Sequence, residues 1–538
     1  MTGCSRFPKE VDAPRYHTQR ILYVAGFAGL LAVTFANYAL QELGHDEGMY
    51  LGASYLAMSY ELYTELGYFQ APNLPLLLST FFAWSDVSHL LMWGRVVTFA
   101  HGVITLVLLG AISWHLTRNS NVTFAFVTWL GLNGFLYSAG YSIDNTTFAS
   151  MYLLAGYYAV LRAHESEWKN PALVAASGFF VALAPGFKLN YLPFSVCFAA
   201  AVGLFSARRT LATFLMGALV GFAPLLYMAI ARGPAFWFNN VVWHRRLLAV
   251  NVEELGVRGM AAGFATDAWF YLTRPTWMMI PVVLVGIAVV LFLGERKRFG
   301  SFERALLSWM LASSLVTIGA LGAVRFWYLQ PTVIVGALLV PSVYPELRPK
   351  RQTLVRVALV LAALIGILMQ APSLASSARV FDPSQWTPLR YSATGADVAR
   401  LSSRRHAQSV ATIGNPAIVY GAEGALPLAP SAATGAFIRV SSPIRSRRSP
   451  LDTTIATYDG LSSLELDMII ATVDYVSPHV EVAPDDWCRP EKPQGQFDEL
   501  FDRLCASGFK SRVIGEGPAR AVVFYRDGAG SDVGPFVP

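Results

Sequence analysis

The chain has 538 residues, 54% of them hydrophobic and only 14% charged, against about 25% charged in an ordinary soluble domain. With a mean hydropathy of +0.43, that balance excludes a soluble globular protein and points to a polytopic membrane protein, with membrane lipid as its surroundings. The formal charge of +6 includes no basic tail or aromatic-basic repeat, so nucleic acid is not an expected partner.

Residues 1–20 carry Arg6, Lys9, Arg15 and Arg20 and read as a cytoplasmic arm. Ile21 to Leu40 then runs without a charge, long enough at ~1.5 Å per residue to cross a ~30 Å hydrocarbon core. It is too long for a signal peptide and ends without a small-x-small cleavage site, so it reads as an uncleaved first span. Further apolar runs follow at Val96–Trp114, Val122–Tyr141, Thr146–Leu161, Ala172–Ala184, Leu189–Phe205, Leu211–Ile230, Trp277–Leu293, Ala305–Leu321, Phe326–Val340 and Val357–Met369. The expected fold is therefore mainly α: a polytopic membrane bundle of about eleven helices spanning residues 21–370, with a first outer loop at 41–92.

Basic residues fall on alternate turns: Arg118; Arg162 and Lys169; Arg208 and Arg209; Arg296 to Arg298; Arg348, Lys350 and Arg351. By the positive-inside tendency these turns and the N-terminus are cytoplasmic, and the remaining turns face outward. An odd number of spans puts residues 371–538 outside as well. Their β-type runs at Ser409–Ile413, Ala417–Tyr420, Met468–Val473 and Ala521–Tyr525, and a helical pattern at Phe497–Ala506, predict a C-terminal α/β extracytoplasmic domain. Cys488 and Cys505 are the two cysteines placed outside, where an oxidising compartment would let them bridge; two free buried thiols are the alternative.

The chemistry-bearing residues gather on the outer side. Asp46 and Glu47 follow the first span within His45-Asp46-Glu47-Gly48-Met49-Tyr50, and Asp144 lies in a later outer turn. A carboxylate at a membrane face is costly unless something uses it, although acids in the first turn of a helix are also stabilised by its dipole. Against them stand Arg95, Lys188, Arg325 and the segment 231–276, which holds Arg232, Arg245, Arg246, Arg258 and Arg274 against Glu253, Glu254 and Asp267. Cations placed against the positive-inside bias suggest an anionic ligand, with a phosphate suited to Arg forks; snorkelling to lipid headgroups is the plainer reading of each. Trp237–Val250 has the composition of a helix lying in the interface. His45, His89 and His244 show no metal-ligand spacing, so no cofactor is expected, a divalent metal being the alternative. No Gly-x-Ser-x-Gly or Walker element occurs, which removes serine hydrolases and nucleotide-driven pumps.

These motifs in this order resemble the GT-C superfamily of integral membrane glycosyltransferases, on the branch of the protein O-mannosyltransferases and the lipid A aminoarabinose transferases. The resemblance covers roughly the first 340 residues. It implies that Asp46 is the general base with Glu47 beside it, and that Asp144 is the second loop acid. Arg95 matches the Arg opening the second span, Lys188 matches the Lys after a small-residue span in Ala184-Pro185-Gly186-Phe187-Lys188, and Arg325 opens a late Arg-aromatic element ending at Pro331. His45, Tyr50 and Tyr328 are the candidates for contacting acceptor or sugar. Two positions depart from the pattern: Ala71-Pro72-Asn73-Leu74 stands where relatives commonly have Lys-Pro-Pro-Leu, leaving Lys188 or Arg245 to substitute, and Phe187 precedes the Lys where Thr is frequent.

The implied function is transfer of a sugar, with inversion, from a polyprenyl-phosphate donor to a glycan, lipid or protein acceptor at the periplasmic face of an inner membrane. Arg95, Lys188, His244, Arg245, Arg246 and Arg325 would serve the donor phosphate. The alternative is a non-catalytic translocator of a lipid-linked saccharide.

Overall fold

The computed structural model describes residues 13–132 (save 42, 44, 65, 67 and 86–88), 142–245 (save 243), 302–405 (save 322–325), and, beyond these, 266, 410–413, 468–472, 488, 502, 504–506, 507–515 and 520–526. The expected span at Trp277–Leu293 lies outside them.

Helix α1 is Ala13–Leu40, α2 is His45–Leu56, α3 is Asn73–Phe82, α4 is Leu90–Thr117 and α5 is Ser120–Gly131. They are followed by α6 (Asn145–Glu165), α7 (Pro171–Leu183), α8 (Leu192–Phe205), α9 (Arg208–Ala231) and the short α10 (Gly233–Trp237). The remaining helices are α11 (Phe302–Leu321), α12 (Phe326–Val343), α13 (Pro349–Ser376) and α14 (Thr387–Arg404). Local chemistry sets several of these starts. Asn119, Asp144 and Asn170 each accept a backbone N–H with the side chain at the N-terminus of α5, α6 and α7, satisfying donors that the helix itself cannot.

Among the described residues, α1, α4, α9 and α13 contain stretches of 20, 28, 24 and 20 residues long and apolar enough to cross a membrane. Helices α7 and α8 have 13 and 14 residues, about 20 Å each at 1.5 Å per residue, too short alone to span the core. The Ala184–Gly186 and Leu189–Tyr191 turns of 3-10 helix separate them, so the two apolar runs read from the sequence are short helices. Leu204, Ile230, Val316 and Leu368 are 70% or more exposed. Large apolar side chains turned outward in such numbers belong in lipid, and the chain is a membrane protein.

Close packing of α7 on α9 depends on glycine. A Cβ at Gly217 would lie 2.0 Å from the Ala175 carbonyl oxygen, and one at Gly221 would lie 2.2 Å from that of Phe179. This is a small-xxx-small contact, in which backbones approach because no side chain intervenes.

The described basic turns meet at one end of the bundle. Glu165 at the end of α6 accepts from Arg118 after α4 at 3.1 Å and pairs with Arg162 at 3.1 Å. His164 approaches Glu303 of α11 at 3.2 Å, and Arg304 pairs with Glu346 in the turn before α13. Phe205, closing α8, stacks edge-on against Phe302. The opposite end carries the junctions described below, and α14 returns there: Thr387 donates to the Leu40 carbonyl at 3.2 Å and Trp386 packs against Phe35.

Beyond α14, four strands form one sheet in the order β1-β2-β4-β3: β1 is Val410–Ile413, β2 is Met468–Thr472, β3 is Phe509–Ile514 and β4 is Ala521–Arg526. β1 and β2 are parallel, with Val410 opposite Met468; β4 runs antiparallel to both β2 and β3, with Tyr525 opposite Met468 and Arg526 opposite Phe509. Ala521 to Phe524 are all buried, as a central strand covered on both faces requires. Cys488 and Cys505 form a disulfide with Cα atoms 5.4 Å apart. The expected strand at Ala417–Tyr420 lies outside the described residues, as does most of the segment between β1 and β3.

Candidate active site

The end opposite the basic turns is organised by a buried ion pair. Glu47, in the first turn of α2, has a side chain fully withdrawn from solvent. Arg95 of α4 grips it as a fork, Nε to Oε1 and Nη2 to Oε2, both at 2.9 Å. The Arg95 Nη1 group donates at 2.8 Å to the carbonyls of Tyr38 and Gln41, where α1 ends. Glu47 Oε1 also accepts the Ile143 N–H at 3.2 Å. A buried pair of this kind holds only when geometry and surrounding hydrogen bonds compensate for lost hydration, and here they do. Arg95, expected at the donor phosphate, and Glu47, expected among the catalytic carboxylates, are thus engaged with each other and with backbone.

The position of this clamp matters more than its charge. Asp46 precedes Glu47 and Asp144 follows Ile143 in the chain, so one set of bonds fixes the backbone beside both acids. His45 and Asp46 open α2, while their side chains lie outside the described residues. Tyr50, expected near the sugar, is buried in the core of α2.

Asp144 is the N-cap of α6, its Oδ1 accepting from the Thr146 N–H at 2.9 Å and from the Thr146 hydroxyl at 3.0 Å. The same hydroxyl accepts from Lys188 Nζ at 2.5 Å. Lys188 is buried, and the sequence Asp144, Thr146, Lys188 forms a continuous run from carboxylate through hydroxyl to ammonium. Thr146 was not singled out by its sequence; its place two residues after a capping Asp is the available signal.

Lys188 owes its position to the turn before it. Asn73, at the start of α3, donates through Nδ2 to the Leu183 carbonyl at 3.2 Å, and a Cβ on Gly186 would come within 2.0 Å of that Nδ2. Asn73 falls in the run that departs from the family pattern, and it locks the first outer loop onto the Ala184–Lys188 turn. Gln70 of the loop in turn accepts from Asn145 at 3.3 Å.

The other side of the loop meets the segment after α9. Arg232 pairs with Glu61. Phe236 packs edge-on against Tyr63 at 5.2 Å between centroids, and the ring nitrogen Nε2 of His244 lies 2.8 Å from the Phe69 carbonyl. Phe238–Val242 forms a π-helical turn with Asn239 and Asn240 buried in it. Tyr63 adopts a left-handed φ of 73° and donates to the Gln70 carbonyl at 2.7 Å. Burial pushes its hydroxyl well above the ordinary tyrosine range, an effect opposed by a hydrogen bond with Asn240, so it remains a fixed donor. His244 and Arg245 are exposed at this loop. Arg246, Arg325 and the side chain of Tyr328 lie outside the described residues.

The structure therefore borders one loop with the α2 N-terminus, Asp144, Lys188, His244 and Arg245. It supplies acid and cationic groups at one end of a membrane bundle, the combination that transfer from a phosphate-linked donor requires.

No protein-family model matches the sequence, and no curated protein matches it. Among solved structures, the chain is similar to ArnT from Cupriavidus metallidurans bound to undecaprenyl phosphate, with a TM-score of 0.55 and 14% identity over 96% of this chain and 99% of that one. It is likewise similar to the apo state of the same ArnT, with a TM-score of 0.56 and 12% identity over 95% and 98% of the two chains. An oligosaccharyltransferase from Archaeoglobus fulgidus in complex with Zn and sulfate aligns with a TM-score of 0.46 and 12% identity over 83% of this chain and 68% of that one. The chain shares the fold of ArnT over nearly its whole length.

Proposed function

We propose that the chain is an inverting membrane glycosyltransferase that moves a sugar from a polyprenyl-phosphate donor to an acceptor hydroxyl. The observation that carries this reading is the Glu47–Arg95 clamp, which ties the backbone next to Asp46 to the backbone next to Asp144, from which the run through Thr146 leads to the buried Lys188. The ArnT fold supports it, and the undecaprenyl phosphate in one ArnT structure supports the donor class.

In this mechanism Asp46 takes the proton of the acceptor hydroxyl as its oxygen attacks the anomeric carbon. The bond from that carbon to the phosphate oxygen breaks, and polyprenyl phosphate leaves. Lys188, with His244, Arg245, Arg246 and Arg325, offsets the negative charge gathering on the departing phosphate, while Asp144 and Thr146 hold Lys188 in place. Glu47 and Arg95 act through the backbone they position. The donor is lipid-linked because soluble sugar nucleotides are cytoplasmic, whereas the acids lie at the end opposite the basic turns. The acceptor is an extracytoplasmic glycan, lipid or protein, and the location is a bacterial inner membrane with the N-terminus cytoplasmic and the tail periplasmic.

The test is transfer of labelled sugar from a synthetic polyprenyl-phosphate donor to a membrane-derived acceptor fraction, comparing wild type with Asp46→Asn. Loss of a general base costs about 10²- to 10⁴-fold in rate, with donor binding retained. Full transfer by D46N removes Asp46 from the reaction. Donor binding without transfer by the wild type, across a broad acceptor set, favours the non-catalytic translocator.

A further inference from the structure

The basic end of the bundle, remote from the candidate active site, holds a cavity of about 590 Å³ between Tyr23 of α1, the start of α5 and the first turns of α13. One side of it is polar. Tyr23 donates to Asn121 Oδ1, and Arg356 Nη2 donates to the Thr353 hydroxyl at 3.0 Å. Arg356 Nε is buried, yet it has no hydrogen-bond partner among the described residues. No carboxylate is among the described residues that line the cavity, so none of them balances the guanidinium charge.

The other side is apolar and leads away along α13. Val357 and Val360 line the cavity, and Leu364 and Leu368 continue the same face at helical spacing, all between 48% and 70% exposed. The Arg356 guanidinium at one side and a hydrocarbon track beyond it match a molecule that is anionic at one end and apolar at the other. Arg348, Lys350 and Arg351 add positive charge at the start of α13. The volume lies within the roughly 300–1,000 Å³ of small-molecule pockets, and the basic end faces the cytoplasmic leaflet by the positive-inside tendency.

We propose that this cavity is a binding site for an anionic phospholipid of the cytoplasmic leaflet. Its headgroup phosphate would accept from Arg356 beside Tyr23 and Asn121, and an acyl chain would lie along Val357, Val360 and Leu364. The site is independent of the transfer reaction, since it shares no residue with the candidate active site.

Native mass spectrometry of the full-length protein in mild detergent tests this, with phosphatidylglycerol and phosphatidylcholine of identical acyl chains added back in turn. Both lipids carry the phosphodiester, but the choline ammonium cancels its charge beside Arg356 and the Arg348, Lys350 and Arg351 cluster, so phosphatidylglycerol is expected to be retained roughly tenfold better. Arg356→Gln should abolish that preference, and Arg356→Lys should keep part of it. Val360→Trp, which fills the track and leaves the cation, should remove the bound lipid, and it decides the matter if R356Q does not fold. Equal retention of the two lipids, an undiminished preference in R356Q, or undiminished binding in V360W each overturns the proposal. So does displacement of phosphatidylglycerol by inorganic phosphate at comparable concentration, which would make the cavity a site for a free anion.

Discussion

Glu47 and Arg95 are joined by two parallel hydrogen bonds of 2.9 Å, with both side chains buried. Because Arg95 also binds the end of α1 and Glu47 binds the turn before α6, three segments distant in sequence converge on one ion pair. Of the acids proposed to do chemistry, Asp46 adjoins Glu47, and Asp144 adjoins Ile143, whose N–H Glu47 accepts. In the proposed reaction, precision at the reacting centre would thus be delegated to residues that do not themselves react.

Breaking this pair from one side strands a buried charge. Arg95→Ala and Glu47→Ala are each expected to lower stability by about 3–5 kcal/mol, read as a fall in the thermal unfolding temperature of the solubilised protein. The double variant E47L/R95M leaves no charge behind and should be destabilised by clearly less than the sum of the single changes. Additive losses would mean that the two residues stabilise the fold independently. Arg95→Lys keeps the charge but loses the planar fork, and should fall between wild type and R95A.

Asp144 combines a helix cap with a charge near Lys188, and two substitutions separate them. Asp144→Asn retains an oxygen able to accept from the Thr146 N–H, so stability should be unchanged within about 0.5 kcal/mol, while transfer falls because the negative partner of the Lys188 chain is gone. Asp144→Ala should lose transfer and about 1 kcal/mol of stability together. Equal transfer by D144N and wild type would reduce Asp144 to a cap.

The sequence exposed the outline of this end because charge near lipid is costly wherever it occurs. Asp46, Glu47, Arg95, Asp144 and Lys188 stand out against apolar runs for that reason. Their division of labour was hidden, since nothing in the spacing of Glu47 and Arg95, 48 positions apart, says that they meet; only the fold does. The same holds for Asn73, whose role depends on the absence of a side chain at Gly186. In the tail, β1, β2 and β4 are apolar enough to read as strands, whereas β3, Phe-Lys-Ser-Arg-Val-Ile, is not. Its buried face includes Ser511, so the alternation is real but weakly apolar. The separation of α7 from α8 was legible in Pro185-Gly186, and their shortness follows from it.

At the interface of α7 and α9, Gly217→Ala puts a methyl group where the Ala175 carbonyl oxygen already lies, 2.0 Å away. Backbone must move to admit it, so the expected cost is about 1–3 kcal/mol, visible as a lower unfolding temperature. Among the described residues, Gly203 has only the Leu211 side chain near it, at 3.4 Å; Gly203→Ala should be close to neutral or slightly stabilising. Equal effects at the two positions would show that the close helix contact is not what Gly217 serves.

The disulfide joins positions 17 residues apart, and closing a loop of that size is worth about 3 kcal/mol through the unfolded chain. Cys488→Ser with Cys505→Ser should therefore destabilise the tail by that order without altering the packing of α1 to α13, and limited proteolysis should cut the tail of the variant first. The same bond reports the side of the membrane. It forms only where thiols are oxidised, so alkylation of intact cells before and after reduction should add two reactive thiols, Cys488 and Cys505, in the reduced sample alone. If both are alkylated without reduction, the tail lies on the reducing side. That outcome would also reverse the outward placement of Asp46 and Asp144, because Thr387 of α14 binds the Leu40 carbonyl at the same end of the bundle.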